Sequence, residues 1–75
     1  MENLDDILAR VFRLNAEELE NNLTIENIDH WDSLTHMDLI SSIEEKLNLE
    51  FSIEEITSLT SIGKIRKIVQ NKMDI

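Results

Sequence analysis

The 75-residue chain carries 16 acidic and 7 basic side chains, a net charge of −9, with no Cys, no Pro and a single Gly, Gly63. That charge repels nucleic-acid phosphates and anionic lipid and favours basic protein surfaces as partners, and no apolar run approaches the roughly 20 residues needed to cross a bilayer. Without Cys there is neither a disulfide staple nor a thiolate metal site, and the shortage of turn residues argues against a β-sandwich or a chain of hairpins.

The length predicts one domain over residues 1–75, and an apolar content of 41% supplies one compact core. Met1-Glu2-Asn3 lacks the basic opening of a signal peptide, so a cytoplasmic location is expected. The charge is uneven. Residues 14–63 hold twelve acids and one base, Lys46, for a net of −11, whereas residues 64–75 hold four bases and one acid, for +3. Any electrostatic docking face belongs to the middle of the chain.

In chain order, Leu4, Ile7, Leu8, Val11 and Phe12 recur at helical spacing and predict a first helix over residues 3–13. Asn3 is its N-cap, and Asp5 and Asp6 suit the positive end of the dipole. Residues 14–32 place Leu14, Leu19, Leu23, Ile25, Ile28 and Trp31 without a period, among Asn15, Asn21, Asn22, Thr24 and Asn27. This predicts a long loop pinned to the core, with a helical turn near Ala16–Leu19. Loops of this length tend to carry function. A second helix follows over 33–47, with Asp32 as N-cap and His36, Leu39, Ile40, Ile43 and Leu47 on one face. Ser52-Ile53-Glu54-Glu55 fits a capping box and opens a short third helix carrying Ile53, Ile56 and Leu59. Ser61 caps a fourth helix with the stripe Ile62, Ile65, Ile68, Val69 and Met73. The expected fold is all-α: a small four-helix bundle with a long first loop and a short third helix.

The informative stretch is His30-Trp31-Asp32-Ser33-Leu34. A serine in the first turn of a helix lies near unpaired backbone N–H groups, and a phosphodiester on its oxygen would sit at the positive end of the dipole. Asp32 adds a cap before it and Leu34 an apolar anchor after it. Taken alone, the tripeptide is weak evidence, since Asp-Ser at a helix start is common and is more often an ordinary N-cap.

Together, the amphipathic first helix, the long loop, Asp32-Ser33-Leu34 opening an acidic second helix, the short third helix and the fourth resemble the acyl carrier protein family. Glu44-Glu45-Lys46-Leu47 before Leu49-Glu50-Phe51 also looks like that family's exit from helix 2. The resemblance covers nearly the whole chain. It implies that Ser33 receives 4′-phosphopantetheine from coenzyme A through a phosphopantetheinyl transferase, and that the arm's thiol carries cargo as a thioester. The chain itself would be no enzyme. Partner-facing positions implied by the family are Asp32, Leu34, Met37, Asp38, Glu44 and Glu45, and cargo would lie near His36, Leu39, Ile40 and Ile56. The implied partners are the transferase, an acyl- or aminoacyl-loading ligase, and a downstream acyltransferase, synthase or tailoring enzyme, met by a monomer. Where many fatty-acid carriers have Gly before Asp-Ser-Leu, this chain has His30-Trp31, which looks like free-standing carriers of specialised pathways, such as polysaccharide tailoring, polyketide or peptide extender supply, or D-alanyl transfer.

Trp31, Phe12 and Phe51 read as packing residues, and His36 as a half-buried, hydrogen-bonded core residue. His30 and His36 are six apart, the wrong spacing for a metal on one helix face. A catalytic set of Ser33, His36 and Asp32 would need a cleft and an oxyanion hole that so small a domain does not offer. The other class of function open to this composition is an acidic helical adaptor without a prosthetic group.

Overall fold

The computed structural model describes residues 3–73. Its four helices are α1 (Leu4–Phe12), α2 (Ser33–Leu47), α3 (Ile53–Ser58) and α4 (Ile62–Met73), with a single 3-10 turn over Ala16–Glu18 in the first connection. The expected bounds of the second helix are met, and the first is shorter by one residue at each end.

Each start is built by a local side chain. The Asn3 side chain accepts from the Asp6 N–H while the Asp6 carboxylate accepts from the Asn3 N–H. Asp32 accepts from the Thr35 N–H at 2.9 Å. Ser52 and Glu55 close the expected reciprocal box at the head of α3, and the Ser61 hydroxyl accepts from the Lys64 N–H at 3.1 Å to cap α4. Such caps contribute about 0.5–2 kcal/mol each. α1 and α2 end on Arg13 and Asn48, both left-handed, whose N–H groups return to the Ala9 and Glu44 carbonyls. Asn takes that conformation readily, whereas at Arg13 it costs about 1–2 kcal/mol.

The core is one cluster. Ile7, Leu8, Val11 and Phe12 of α1 meet Leu39, Ile40 and Ile43 of α2 and Ile62, Ile65 and Val69 of α4, with α1 and α2 the closest helix pair. Leu19, Ile28 and Trp31 from the long loop and Leu59 after α3 complete it. The sequence reading overstated burial at three positions, two by helical periodicity and Ile25 by its place in a loop pinned to the core. Ile25, Ile53 and Met73 were expected to face inward, yet all three are exposed, Ile53 to 80%. α3 has only six residues and lies on the surface, so its first turn projects beyond the cluster instead of into it.

The long loop is fastened from outside its own sequence. Ile25 N–H donates to the Thr60 carbonyl, and Ile62 and Gly63 N–H donate to the Leu23 and Asn21 carbonyls. The Arg66 guanidinium adds bonds to Asp5 on α1 and Asn21 in the loop. At the other end of α4, Lys72 pairs with Glu55 at 2.8 Å and lies 5.5 Å from the Phe51 ring centre. The hydrogen bond from Lys72, and then that from the Ser52 backbone, hold the Glu55 carboxyl below its ordinary range.

Gly63 is required by this fastening. A Cβ there would stand 2.9 Å from the Asn21 carbonyl oxygen, a backbone atom that cannot swing away. Gly63→Ala gains up to about 1 kcal/mol of helix propensity and meets an overpacking cost of about 1–3 kcal/mol. The expected net effect is destabilisation of about 1–2 kcal/mol, read in urea unfolding as a lower midpoint at unchanged slope.

Candidate functional site

Six serines are present, and the surroundings of each separate them. The Ser42, Ser52, Ser58 and Ser61 hydroxyls are all engaged, in caps or in bonds to a nearby side chain or carbonyl. Ser41 is exposed in the middle of α2 beside Glu44, Glu45 and Glu50. Ser33 is exposed at the first position of α2, and its hydroxyl has no hydrogen-bond partner among the described residues. Asp32 has already satisfied the Thr35 N–H, so the Ser33 side chain has no capping duty. That bond is the main reason the Asp32 carboxyl sits below its ordinary range, against a smaller opposing effect of partial desolvation.

A groove of about 540 Å³ opens beside Ser33, lined by Ile25, Asp32, Ser33, His36, Met37, Thr57, Leu59 and Thr60. It is mostly apolar and runs from the head of α2 towards the α3–α4 connection. A hollow of similar volume among Leu14, Glu17, Glu18, Glu20 and His30 is acidic and does not include Ser33.

His36 forms part of the groove wall and is held at both nitrogens. The Trp31 indole Nε1–H donates to His36 Nδ1 at 3.0 Å, and His36 Nε2 pairs with the Ile56 carbonyl at 2.8 Å. An indole only donates and a carbonyl only accepts, so this chain of bonds requires the neutral ring with its proton on Nε2. His36 is therefore not available to take a proton from Ser33, and Asp32 faces the helix backbone. The three residues do not form a catalytic set. Trp31 is 4% exposed and packs on Phe12 with ring centres 4.5 Å apart, the core-anchor role its sequence context suggested. His30 bonds to the Phe12 carbonyl, a partner eighteen residues away that periodicity could not have indicated.

The other expected site residues divide. Leu34 (84% exposed), Met37, Asp38 and Glu45 lie exposed on α2 with Asp32. Glu44 does not join them: it is half-buried, and its carboxylate accepts from the Phe51 N–H at 3.0 Å, holding the α2–α3 connection against the helix end. Of the residues expected near cargo, only His36 lines the groove. Leu39 and Ile40 are at most 2% exposed within the core, and Ile56 contributes its carbonyl to His36. Conversely, Ile25, Thr57, Leu59 and Thr60 line the groove without having been singled out, because a non-periodic loop and a helix end bring them there.

The family model described as the phosphopantetheine attachment site matches residues 2–69. This chain belongs to the acyl carrier protein family. The solution structure of a holo acyl carrier protein from Geobacter metallireducens superposes on this carrier with a TM-score of 0.83 at 32% identity, covering 95% of this chain and 82% of that one. A putative acyl carrier protein from Mycobacterium tuberculosis shares the fold, with a TM-score of 0.79 at 18% identity over 91% of this chain and 90% of that one. No curated protein matches the chain in sequence. The carrier's prosthetic group is 4′-phosphopantetheine, and carriers of this family are not enzymes themselves but interact with phosphopantetheinyl transferases and acyl-processing enzymes. An exposed, unbonded serine hydroxyl beside an apolar groove fits such a group. No described helix of the carrier is long and apolar enough to cross a membrane.

The Asp32 cap makes a pH-dependent contribution whose sign is fixed by its shift. A carboxyl lowered on folding stabilises the fold above its unfolded value, and that contribution is lost as pH falls through the folded value. Asp32→Asn keeps a capping side chain but removes the titration. The parent carrier is expected to melt above the variant at neutral pH, with the gap closing below about pH 4, as read from melting midpoints of the two proteins across that range.

Proposed function

We propose that Ser33 is the attachment point of 4′-phosphopantetheine, that residues 1–75 form one carrier domain, and that it delivers acyl or aminoacyl thioesters to partner enzymes of a specialised biosynthetic pathway. The single observation that carries the assignment is the free Ser33 hydroxyl at the head of α2, opening on the groove. In attachment, the Ser33 oxygen forms a bond to the phosphorus nearest the pantetheine of coenzyme A. The pyrophosphate bond breaks, 3′,5′-ADP leaves, and the hydroxyl proton passes to a base of the transferase. The bound arm supplies a terminal thiol on which an acyl group travels as a thioester.

This chain's own residues supply a rigid footing for the arm and the recognition surface. Asp32 holds the first turn of α2 in place beneath the arm. Leu34 and Met37 present apolar surface beside it, and Asp38 and Glu45 present charge along the same helix. Charges at the rim of an interface act mainly on encounter rate, which suits a domain that must leave one partner for the next. Trp31 before the attachment motif supports a place among free-standing carriers of specialised pathways. The test is intact mass after incubation with coenzyme A and a broad-specificity phosphopantetheinyl transferase. A gain of one phosphopantetheine is expected. An unmodified mass on folded protein, with the transferase active on another carrier, favours the adaptor reading.

A further inference from the structure

We propose that His36 seals the seam between α2 and α3, so that cargo borne on Ser33 lies in the surface groove and does not enter the core, which fits the carrier to short acyl groups such as acetyl to butyryl. This rests on the attachment assigned above and goes on to name the cargo class. The His36 ring sits where the groove meets the core, tied on one side to the Trp31 indole and on the other to the Ile56 carbonyl of α3. Those two bonds hold α3 to α2 and to the end of the long loop. Behind them Leu39, Ile40, Ile43, Leu59 and Ile62 are at most 2% exposed, and the groove reaches only Leu59 among them.

An acyl chain passing inward would have to displace the imidazole. That would separate a nearly buried indole N–H from its acceptor and take from the Ile56 carbonyl the shorter of its two bonds, leaving it only the Leu59 N–H, and a hydrocarbon chain replaces neither lost bond. The core beyond is close-packed, and enlarging it forces neighbouring side chains off their preferred conformations. A short acyl group makes no such demand. It can rest against Ile25, Met37 and Leu59, in a groove of which Ser33 is itself a wall.

The carrier would be loaded by the transferase from acetyl-, butyryl- and octanoyl-coenzyme A, with intact mass confirming attachment and a Ser33→Ala control. Methyl NMR spectra and melting midpoints would then be compared. The expected result is that Ile25 and Met37 respond to loading, while the methyls of Leu39, Ile40, Ile43 and Ile62 are the same in the acetyl and octanoyl forms. The midpoint should not rise with chain length, whereas burial of the octanoyl methylenes would raise it by well over about 5 °C. Octanoyl-dependent movement of the core methyls together with a higher midpoint in the parent would overturn the proposal. In His36→Ala the octanoyl form is expected to move those same methyls, and an unmoved core in a folded variant would show that His36 is not the barrier. The parent series decides the matter without the variant. Absence of any mass gain would refute attachment itself, a failure distinct from entry of cargo into the core.

Discussion

Ser33→Ala is expected to abolish modification completely while leaving the fold intact. The parent gains the mass of one phosphopantetheine with coenzyme A and transferase, and the variant gains none. The reason for expecting so clean a separation is local. Asp32, not Ser33, caps α2, and among the described residues the Ser33 hydroxyl makes no hydrogen bond that its removal could break. Alanine is also the better helix former. Stability should therefore stay within about 0.5 kcal/mol of the parent, the usual range for exposed positions free of special contacts. The other five serines remain in the variant, so modification persisting there would place the attachment elsewhere, with exposed Ser41 the first position to examine. Peptide mapping of the modified parent gives the same answer from the opposite direction.

Trp31→Ala carries the largest expected loss of stability. Trp31 is 4% exposed, packs on Phe12, and donates to His36. Removal of a buried aromatic side chain costs about 3–5 kcal/mol. A domain of this length is expected to have only about 4–11 kcal/mol in total. The melting midpoint should fall by at least about 12 °C, since about 1 kcal/mol moves it 4–8 °C in a domain of this size. Trp31→Phe separates packing from hydrogen bonding. It keeps an aromatic ring against Phe12 but leaves His36 Nδ1 without its donor, for a smaller cost of about 0.5–1.5 kcal/mol. Thermal unfolding of the three proteins followed by far-ultraviolet circular dichroism checks both values. Equal destabilisation by Ala and Phe would mean that the hydrogen bond, not the ring, holds the loop.

The helices were legible because their starts are written in adjacent residues. Asn3 with Asp6, Asp32 before Ser33, Ser52 with Glu55, and Ser61 before Ile62 are all short-range chemistry, and each cap forms as expected. The motif on which the proposed attachment rests was visible for the same reason, since Asp32-Ser33-Leu34 is a local pattern within a familiar order of helices. What spacing could not reveal is which neighbour covers a given face. Ile53 and Ile25 carry apolar side chains at plausible intervals yet meet solvent, because a six-residue helix and a surface loop have nothing packed over them at those points. Glu44 looked like one more acid on an acidic helix. Its bond to the Phe51 N–H depends on the path of the chain after the helix ends. The groove was similarly hidden. His36 could be placed on the inner face of α2, but its two partners come from the loop before the helix and from α3, and only the folded chain joins them.

The pairing of Trp31 with His36 also gives the protein an optical property. Trp31 is the sole Trp in a sequence without Tyr, so near-ultraviolet absorption and intrinsic emission come almost wholly from one indole. That indole stands two residues before Ser33 and bonds to a ring in the groove wall. The chain thus contains a single built-in fluorophore beside the proposed attachment serine, and its emission is the natural dye-free readout for arrival or departure of a group in the groove.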